Sequence, residues 1–383
     1  MSVNSELNRP LGQTGKGPNV RAGNKTAGSW ILPSTVFTLM LVASSVISYT
    51  SHQGFRRPEA KPAIPIATQA PTPEPISPTL PKTTISNQLP GNIANEVAGG
   101  PKVIVVGDPA RRAQDPRTAH LPEPDLLEQS PQGPLPIIAP DGRRPLDAYA
   151  RPWSGARGAR VAIIIGGLGL SQTGSQNAIR VLPPEITLAF SPEGNSLGRW
   201  MQAGRQEGHE ILLQLPLEPF DYPRVNPGRN TLTVDAQPAA TIENLHKTMG
   251  RITNYTGVMN YMGARFTSEA AAMTPVMQEI TRRGLLYLDD GTSARSQADA
   301  IATQQGTPYA AADLLIDATQ ERGSILKKLD ELERIARAKG TAIATGSAFD
   351  VTVEAVAAWA NEAKARGIEI VPISALVRDP QKG

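Results

Sequence analysis

Two adjacent carboxylates, Asp289 and Asp290, end an apolar run of residues 285–288. A carboxylate at the end of a strand can act as a general acid or base when its surroundings adjust its pKa. While a strand continues, neighbouring side chains point to opposite faces, so only one of the two can line an interior. If Asp290 instead forms a turn with Gly291, this restriction does not apply. We predict that Asp289 or Asp290 is the general base of any acid–base reaction here.

Other polar residues could complete such a reaction. In the run of residues 210–215, the alternation of a strand places Glu210 and Gln214 on one face, and Glu210 is a further catalytic candidate. Tyr261 could donate a proton, and Arg265 could stabilise an oxyanion. A hydrogen-bonded loop network without catalysis is the alternative, and we favour it.

Glycines follow the first strong apolar run, residues 161–165, and raise the question of a nucleotide site. A dinucleotide-binding loop fails on spacing, because Gln172 stands where its third glycine should be. A phosphate loop fails because the residues after Gly174 are not Lys and Ser or Thr. We interpret Gly166 and Gly167 as a tight turn at the end of a strand.

An alternation of strands and helices must position these residues. The apolar runs predict strands at residues 161–165, 186–190, 210–215, 257–259, 285–288, 314–316, 341–344 and 368–371. Helical patterns lie between them at residues 195–207, 239–253, 268–283, 324–339 and 352–366. Strand and helix repeated in this way predict an α/β protein with a parallel sheet, either a barrel or doubly wound.

Composition excludes several classes of protein. The 383 residues include no cysteine, which rules out disulfides, zinc fingers and thiol catalysis. The net charge is only +3, and no basic block with interleaved aromatic residues is present, so we predict no nucleic-acid partner.

The first 150 residues have a different character from the rest. Residues 1–29 form a basic polar tail, and residues 30–49 are an uncharged run bracketed by Trp30 and Tyr49. That length is sufficient to cross a bilayer as a helix. A cleaved signal peptide or a buried helix is the alternative. We expect an inner-membrane anchor with a cytoplasmic N-terminus and the bulk of the chain in the periplasm.

Residues 50–150 are rich in proline and predict a disordered linker, and residues 151–383 predict the folded domain. Within the linker, the apolar residues 102–108 could dock an envelope protein or could be a transiently ordered patch. Residues 134–153 mix apolar and turn residues, and we expect them to pack onto the folded domain as an arm.

Five sequence blocks lie at the ends of predicted strands. They read VAIIIGGLGL, GHEILLQLPLEPFDYP, GVMNYMGARFTS, GLLYLDDGTSARS and GTAIATGSAFDVT. In this order they resemble the divergent polysaccharide deacetylase family, over about residues 157–377. The resemblance implies a distorted (β/α) barrel with fewer than eight strands, and a role linked to carbohydrate at the cell envelope.

The resemblance also implies a divalent metal that activates water, held by aspartate and histidine. Where family members that look catalytic carry those ligands, this chain has Gly166, Gly167, Gln214, Tyr261 and Ser347. None of these binds such a cation well. We therefore expect no metal cofactor.

Two roles then remain for the domain. One is a hydrolase that removes acetyl groups from an envelope glycan, and the other is a degenerate enzyme kept as a glycan-binding or scaffolding module. The candidate binding residues are Gln214, Glu218, Asn260, Tyr261, Arg265 and Ser347.

Overall fold

The computed structural model describes residues 118–156 and 158–382. The predicted basic tail, the membrane anchor at residues 30–49 and the apolar residues 102–108 lie outside these ranges. Within the two ranges, every helix is too short or too polar to cross a bilayer.

Nine of the described strands form one sheet whose inter-strand pairings are all parallel. They are β3 (Arg160–Leu168), β4 (Thr187–Phe190), β5 (Ile211–Leu217), β6 (Gly257–Met262), β7 (Leu286–Asp289), β8 (Tyr309–Ala311), β9 (Leu314–Leu315), β10 (Thr341–Ser347) and β11 (Glu369–Ile370). The order across the sheet is β8-β7-β6-β5-β4-β3-β10-β9, and β11 pairs with the beginning of β3. The predicted α/β class and its parallel sheet are confirmed.

The sheet is curled into an incomplete barrel. Its two outermost strands, β8 and β9, are separated by only Ala312 and Asp313 in the chain. Consecutive Cα atoms are 3.8 Å apart, so the two sheet edges lie within about 11 Å of each other. Strand pairing stops at this point, so the barrel is incomplete, in agreement with the distorted barrel that the sequence resemblance implied. The expected strand number was wrong, because the described sheet has nine strands and not fewer than eight.

Helices cover the outer face of the sheet. They are α2 (Gln172–Val181), α3 (Leu197–Gln206), α4 (Pro238–Met249), α5 (Ala270–Arg282), α6 (Ala298–Gln305), α7 (Arg322–Lys339) and α8 (Asp350–Ala365). The large core between helices and sheet includes Ile163, Leu213, Val258 and Trp359. The sequence did not predict α2 or α6, because both are short and rich in polar residues.

The inside of the barrel is a second, smaller core. Alternate strand residues point into it, among them Ile164, Leu212 and Leu288. Leu146 and Ile373 belong to the same cluster. Leu146 donates its N–H to the carbonyl of Gly284, just before β7, and Ile373 donates to the hydroxyl of Thr187 at the start of β4. These two residues therefore close the amino-terminal end of the barrel.

Residues 118–150 belong to the folded domain, although their composition placed them in the predicted linker. They form the hairpin of β1 (Leu127–Ser130) and β2 (Gly133–Pro136), and helix α1 (Pro145–Ala148). The fully buried guanidinium of Arg283 donates to Glu128 and to the carbonyl of Pro136. The predicted packing of residues 134–153 as an arm is confirmed, and the packed region begins earlier than the sequence indicated.

Glu279 on α5 lies at the centre of a charged cluster. The cluster includes His246 on α4 and Arg283, which also contacts the arm. Its carboxylate accepts hydrogen bonds from Arg282 and Arg283, and Oε1 lies 2.6 Å from Nε2 of His246. Burial by itself would raise the pKa of Glu279, but the hydrogen bonds from Arg282, His246 and Arg283 lower it to about 2.

We predict that Glu279→Gln destabilises the protein in a pH-dependent manner. A lowered carboxyl pKa contributes stability above pH 4.5 that is lost as the pH falls towards about 2, to a total of up to about 3 kcal/mol. In urea unfolding, the free energy of unfolding of the variant should therefore be much lower than that of wild type at pH 7. Near pH 2.5 the difference in free energy should be much smaller. Glu243→Gln, which removes an exposed pair with Lys247 on α4, is the control and should change little at either pH. A difference for Glu279→Gln that does not vary with pH would contradict this.

Candidate functional site

The candidate site is the mouth, which we define as the carboxyl-terminal edge of the curled sheet. Because the strands are parallel, they all end at this edge, where barrel proteins place their binding residues. Gly166 pairs in register with Ser347, and Pro216 on β5 pairs with Tyr261. The structure therefore brings together Gly166, Gly167, Gln214, Tyr261, Asp290 and Ser347, which lie at or just beyond the carboxyl ends of five strands.

Gly166 and Gly167 lie inside β3, at a register shift between Ile165 and Leu168, and not in a tight turn at its end as predicted. The two glycines are required for different reasons. A Cβ at Gly166 would lie 2.7 Å from Nε2 of Gln214, so this glycine leaves room for the Gln214 side chain. Gly167 has φ +79°, a left-handed conformation that side-chain-bearing residues adopt at a cost. The amide N–H of Gly167 donates to Oε1 of Gln214 at 2.9 Å. The glycines and Gln214 thus form one interlocked unit.

This unit does not fit the divalent metal that the family resemblance implies. A carboxylate at residue 166 would displace the Gln214 amide, and one at residue 167 would require the left-handed backbone. Oε1 of Gln214 is already engaged by a backbone N–H. In the two described ranges, no three His, Asp or Glu side chains are grouped closely enough to hold a metal ion.

The two adjacent aspartates have different environments. Asp289 is the last residue of β7 and is 3% exposed, and its carboxylate accepts from Ser296 Oγ at 2.6 Å and from the N–H of Gly291. Asp290 lies beyond the strand and accepts from the N–H and hydroxyl of Thr292 through Oδ1. Burial raises the pKa of Asp290, even though Thr292 and Asn260 donate hydrogen bonds that oppose this effect. Asp289 holds the turn, and Asp290 lies in the loop that follows it.

Asn260 supports Asp290 from the neighbouring strand. Its Oδ1 accepts from the backbone N–H of Asp290 at 2.8 Å, and its Nδ2 donates to the carbonyl of Met262. Asn260 is 2% exposed, whereas the adjacent Tyr261 is 37% exposed. Of these two predicted binding residues, Tyr261 is therefore accessible to a ligand and Asn260 positions the loop.

Glu218 and Arg265 form an ion pair at the rim of the mouth. Arg265 also contacts Asp235 at 3.1 Å, and the second oxygen of Glu218 accepts from the N–H of Val234 at 2.6 Å. The Glu218 side chain is almost completely buried, and the Arg265 side chain is about one-third exposed. The geometry gives this pair a role in fastening two loops, and the predicted oxyanion contact of Arg265 would require it to release a carboxylate.

Glu210 lies at the opposite end of the barrel. The alternation of the strand places the Glu210 and Gln214 side chains on the same face, as predicted. However, four residues of extended chain separate them by about 13 Å. The completely buried carboxylate of Glu210 accepts from the hydroxyl and N–H of Ser374 and from the N–H of Arg151. Burial raises its pKa. The structure places Glu210 in the closed amino-terminal end, away from the other candidates.

Sequence reasoning missed two features of the mouth. Exposed apolar side chains follow the strand ends at Leu170, Phe220 and Phe349, which are 58%, 58% and 43% exposed. Thr345, on the inward-pointing positions of β10, is 4% exposed, and its Oγ1 has no hydrogen-bond partner among the described residues. The signal for the first feature was present, because aromatic residues make up only 4% of the sequence and two of them follow strand ends directly.

Comparisons with known proteins agree with this architecture. The chain is 59% identical to a solved uncharacterized protein, ATU2773 of Agrobacterium tumefaciens, with a TM-score of 0.63 over 64% of this chain and 100% of that one. It is 25% identical to the uncharacterized protein YibQ of Escherichia coli, over 58% of this chain and 68% of YibQ. An uncharacterized protein of Haemophilus influenzae is 27% identical over 49% of this chain and 66% of its own length.

The family comparison covers the barrel itself. Residues 163–377, more than half of the chain, match the family described as divergent polysaccharide deacetylase. This range begins within β3 and includes the carboxyl end of every strand that contributes to the mouth. The chain belongs to the divergent polysaccharide deacetylase family.

Proposed function

We propose that the mouth binds a neutral glycan of the cell envelope without a metal ion. The observation that carries this proposal is the combination of exposed aromatic rings with polar side chains at one barrel end. Tyr261, Phe220 and Phe349 supply the rings, and Gln214 and Ser347 supply uncharged hydrogen-bonding groups. Sugar rings have apolar C–H faces and hydroxyl edges, and sites for such ligands combine apolar walls with a few placed polar groups.

Family membership supports a link to carbohydrate, and the mouth favours binding over metal-dependent hydrolysis. A deacetylase of this kind would use a dication to polarise the acetyl carbonyl. The interlocked Gly166, Gly167 and Gln214 take up the corresponding space. A glycan-binding module therefore agrees better with the chemistry of these residues.

Acid–base hydrolysis by Asp290 is a second candidate function, and one observation favours it. The pKa of Asp290 is raised by burial, and a carboxyl group titrating closer to neutral pH is a better general base. The Asp290 carboxyl group and the accessible Tyr261 hydroxyl would be the two groups available to a substrate.

The location of the protein is part of the proposal. Residues 30–49 are uncharged and long enough to span a bilayer, and a basic tail precedes them. We propose a single-pass inner-membrane anchor with the barrel in the periplasm, where envelope glycans are found. The Pro-rich residues before the barrel, including residues 102–108, would be available to an envelope protein partner.

We predict that the full-length chain binds chitotetraose in the presence of EDTA. Tyr261→Ala should weaken binding about tenfold, because an aromatic contact contributes about 1.4 kcal/mol. Isothermal titration calorimetry measures both. Val181→Ala, which trims an exposed apolar side chain at the end of α2, is the control and should bind like wild type. Absence of binding, or binding that EDTA abolishes, would overturn the proposed metal-free site.

If the barrel is a hydrolase, Asp290→Asn should abolish acetate release from chitotetraose, whereas Asp221→Asn on the exposed rim should not. A general base must be deprotonated, so the rate should fall as the pH drops through the raised pKa of Asp290. An enzymatic acetate assay between pH 4 and 8 tests this. Unchanged turnover in Asp290→Asn would remove this residue from catalysis, and no turnover in wild type would exclude the hydrolase.

Deletion of residues 30–49 should move the protein from the alkali-washed membrane fraction to the soluble fraction. In spheroplasts, added protease should digest the barrel of the full-length chain, because it faces outward. Immunoblotting with an antibody to the barrel measures both. A barrel protected from protease in intact spheroplasts would reverse the proposed orientation.

A further inference from the structure

We infer that the Gln214 side-chain amide is the ligand-contacting donor at the floor of the mouth, in place of a metal, and that Gly166 is the residue that positions it. The inference rests on the proposed glycan-binding function and identifies the group that performs it. Gly166, Gly167 and Gln214 would then form a binding subsite for an uncharged oxygen atom of the ligand. They would not simply be the residues that replaced the metal ligands.

The orientation of the Gln214 amide is determined by chemistry. The N–H of Gly167 can only donate, so the atom 2.9 Å from it must be the amide oxygen. The Nε2 group therefore points away from the Gly167 N–H. The side chain is 6% exposed, so few of its atoms are hydrated by bulk water. Nε2 is not among the fully buried polar atoms that lack a partner, so it is open to the mouth and an oxygen ligand can reach it.

A buried polar group without a partner lies on the other side of β3. Thr345 shares the inward face of β10 with Ile343 and Ser347, and its register partner on β3 is Ile164, two residues before Gly166. Its buried Oγ1 has no partner in the part of the chain that the structure describes. Gln214 on β5 and Thr345 on β10 thus face the same interior from two sides.

These groups select the chemistry of the ligand. The hydrogens of Nε2 face the mouth, so this group repels a cation and can donate a hydrogen bond to an oxygen atom of a ligand. A threonine hydroxyl can donate or accept. Together they fit a neutral, oxygen-rich group such as a sugar hydroxyl or the carbonyl of an N-acetyl substituent. They do not fit a divalent cation.

Gly166 controls the position of the amide. A Cβ at this residue would approach Nε2 to 2.7 Å and Cδ to 3.3 Å, which are the flexible end of the Gln214 side chain. Gly166 is not among the glycines with positive φ, so its backbone accepts alanine. Gly166→Ala should therefore leave the fold intact and push the amide out of place.

The test uses the full-length chain, chitotetraose as the probe and isothermal titration calorimetry with EDTA. Gln214→Glu replaces the donor with an acceptor of the same shape, and Gly166→Ala moves the wild-type amide. Each should weaken binding at least tenfold. The Gly166→Ala/Gln214→Ala double variant should bind no more weakly than Gln214→Ala, because both changes remove the same contact. Gly198→Ala is the matched control, since a Cβ there meets nothing within 4 Å.

The outcomes separate the inference from the function on which it rests. Wild-type binding with unchanged affinity in Gln214→Glu and Gly166→Ala would overturn the role of the amide and leave glycan binding standing. No wild-type binding would overturn both. Zinc added in place of EDTA should not change the affinity, and a zinc-dependent gain would overturn the inference. If Gln214→Glu fails to fold in a thermal melt, Gly166→Ala decides.

Discussion

The hydrogen bond between the Gln214 side chain and the Gly167 backbone determines the character of the barrel mouth. A metal-dependent hydrolase needs anionic or imidazole groups to converge on a cavity. Here a neutral amide takes up that cavity, and a glycine stands beside it because no side chain would fit. The proposed glycan binding would then depend on hydrogen bonding and stacking at the mouth.

Buried polar contacts close the amino-terminal end of the barrel. At the amino-terminal end, Glu210 is completely buried, and three donors satisfy its carboxylate. The arm of residues 118–150 packs nearby through the buried guanidinium of Arg283. At the mouth, Thr345 Oγ1 is buried without a partner among the described residues, and such atoms also occur at the amino-terminal end, on Arg160 and Glu369. Unsatisfied polar atoms therefore do not by themselves distinguish the two ends.

Adjacent residues of the same type have different roles because the strand ends between them. Asp289 is still part of β7, and its buried carboxylate holds the following turn through Gly291 and Ser296. Asp290 leaves the strand, and its Oδ1 accepts from Thr292 in the following loop. Burial raises the pKa of Asp290.

The sequence by itself determined the parallel α/β class, most of the strands, the family and the replacement of its metal ligands, because these depend on local periodicity and on residue identity. It missed α2, α6 and β8, whose short or polar segments carry weak periodicity. Only the tertiary structure decided that residues 118–150 join the domain and that Glu210 and Gln214 lie at opposite ends. It also decided that Gly166 makes room for an amide. Each of these depends on contacts between residues far apart in the chain, such as Glu128 with Arg283 and Gly167 with Gln214, which no local pattern encodes.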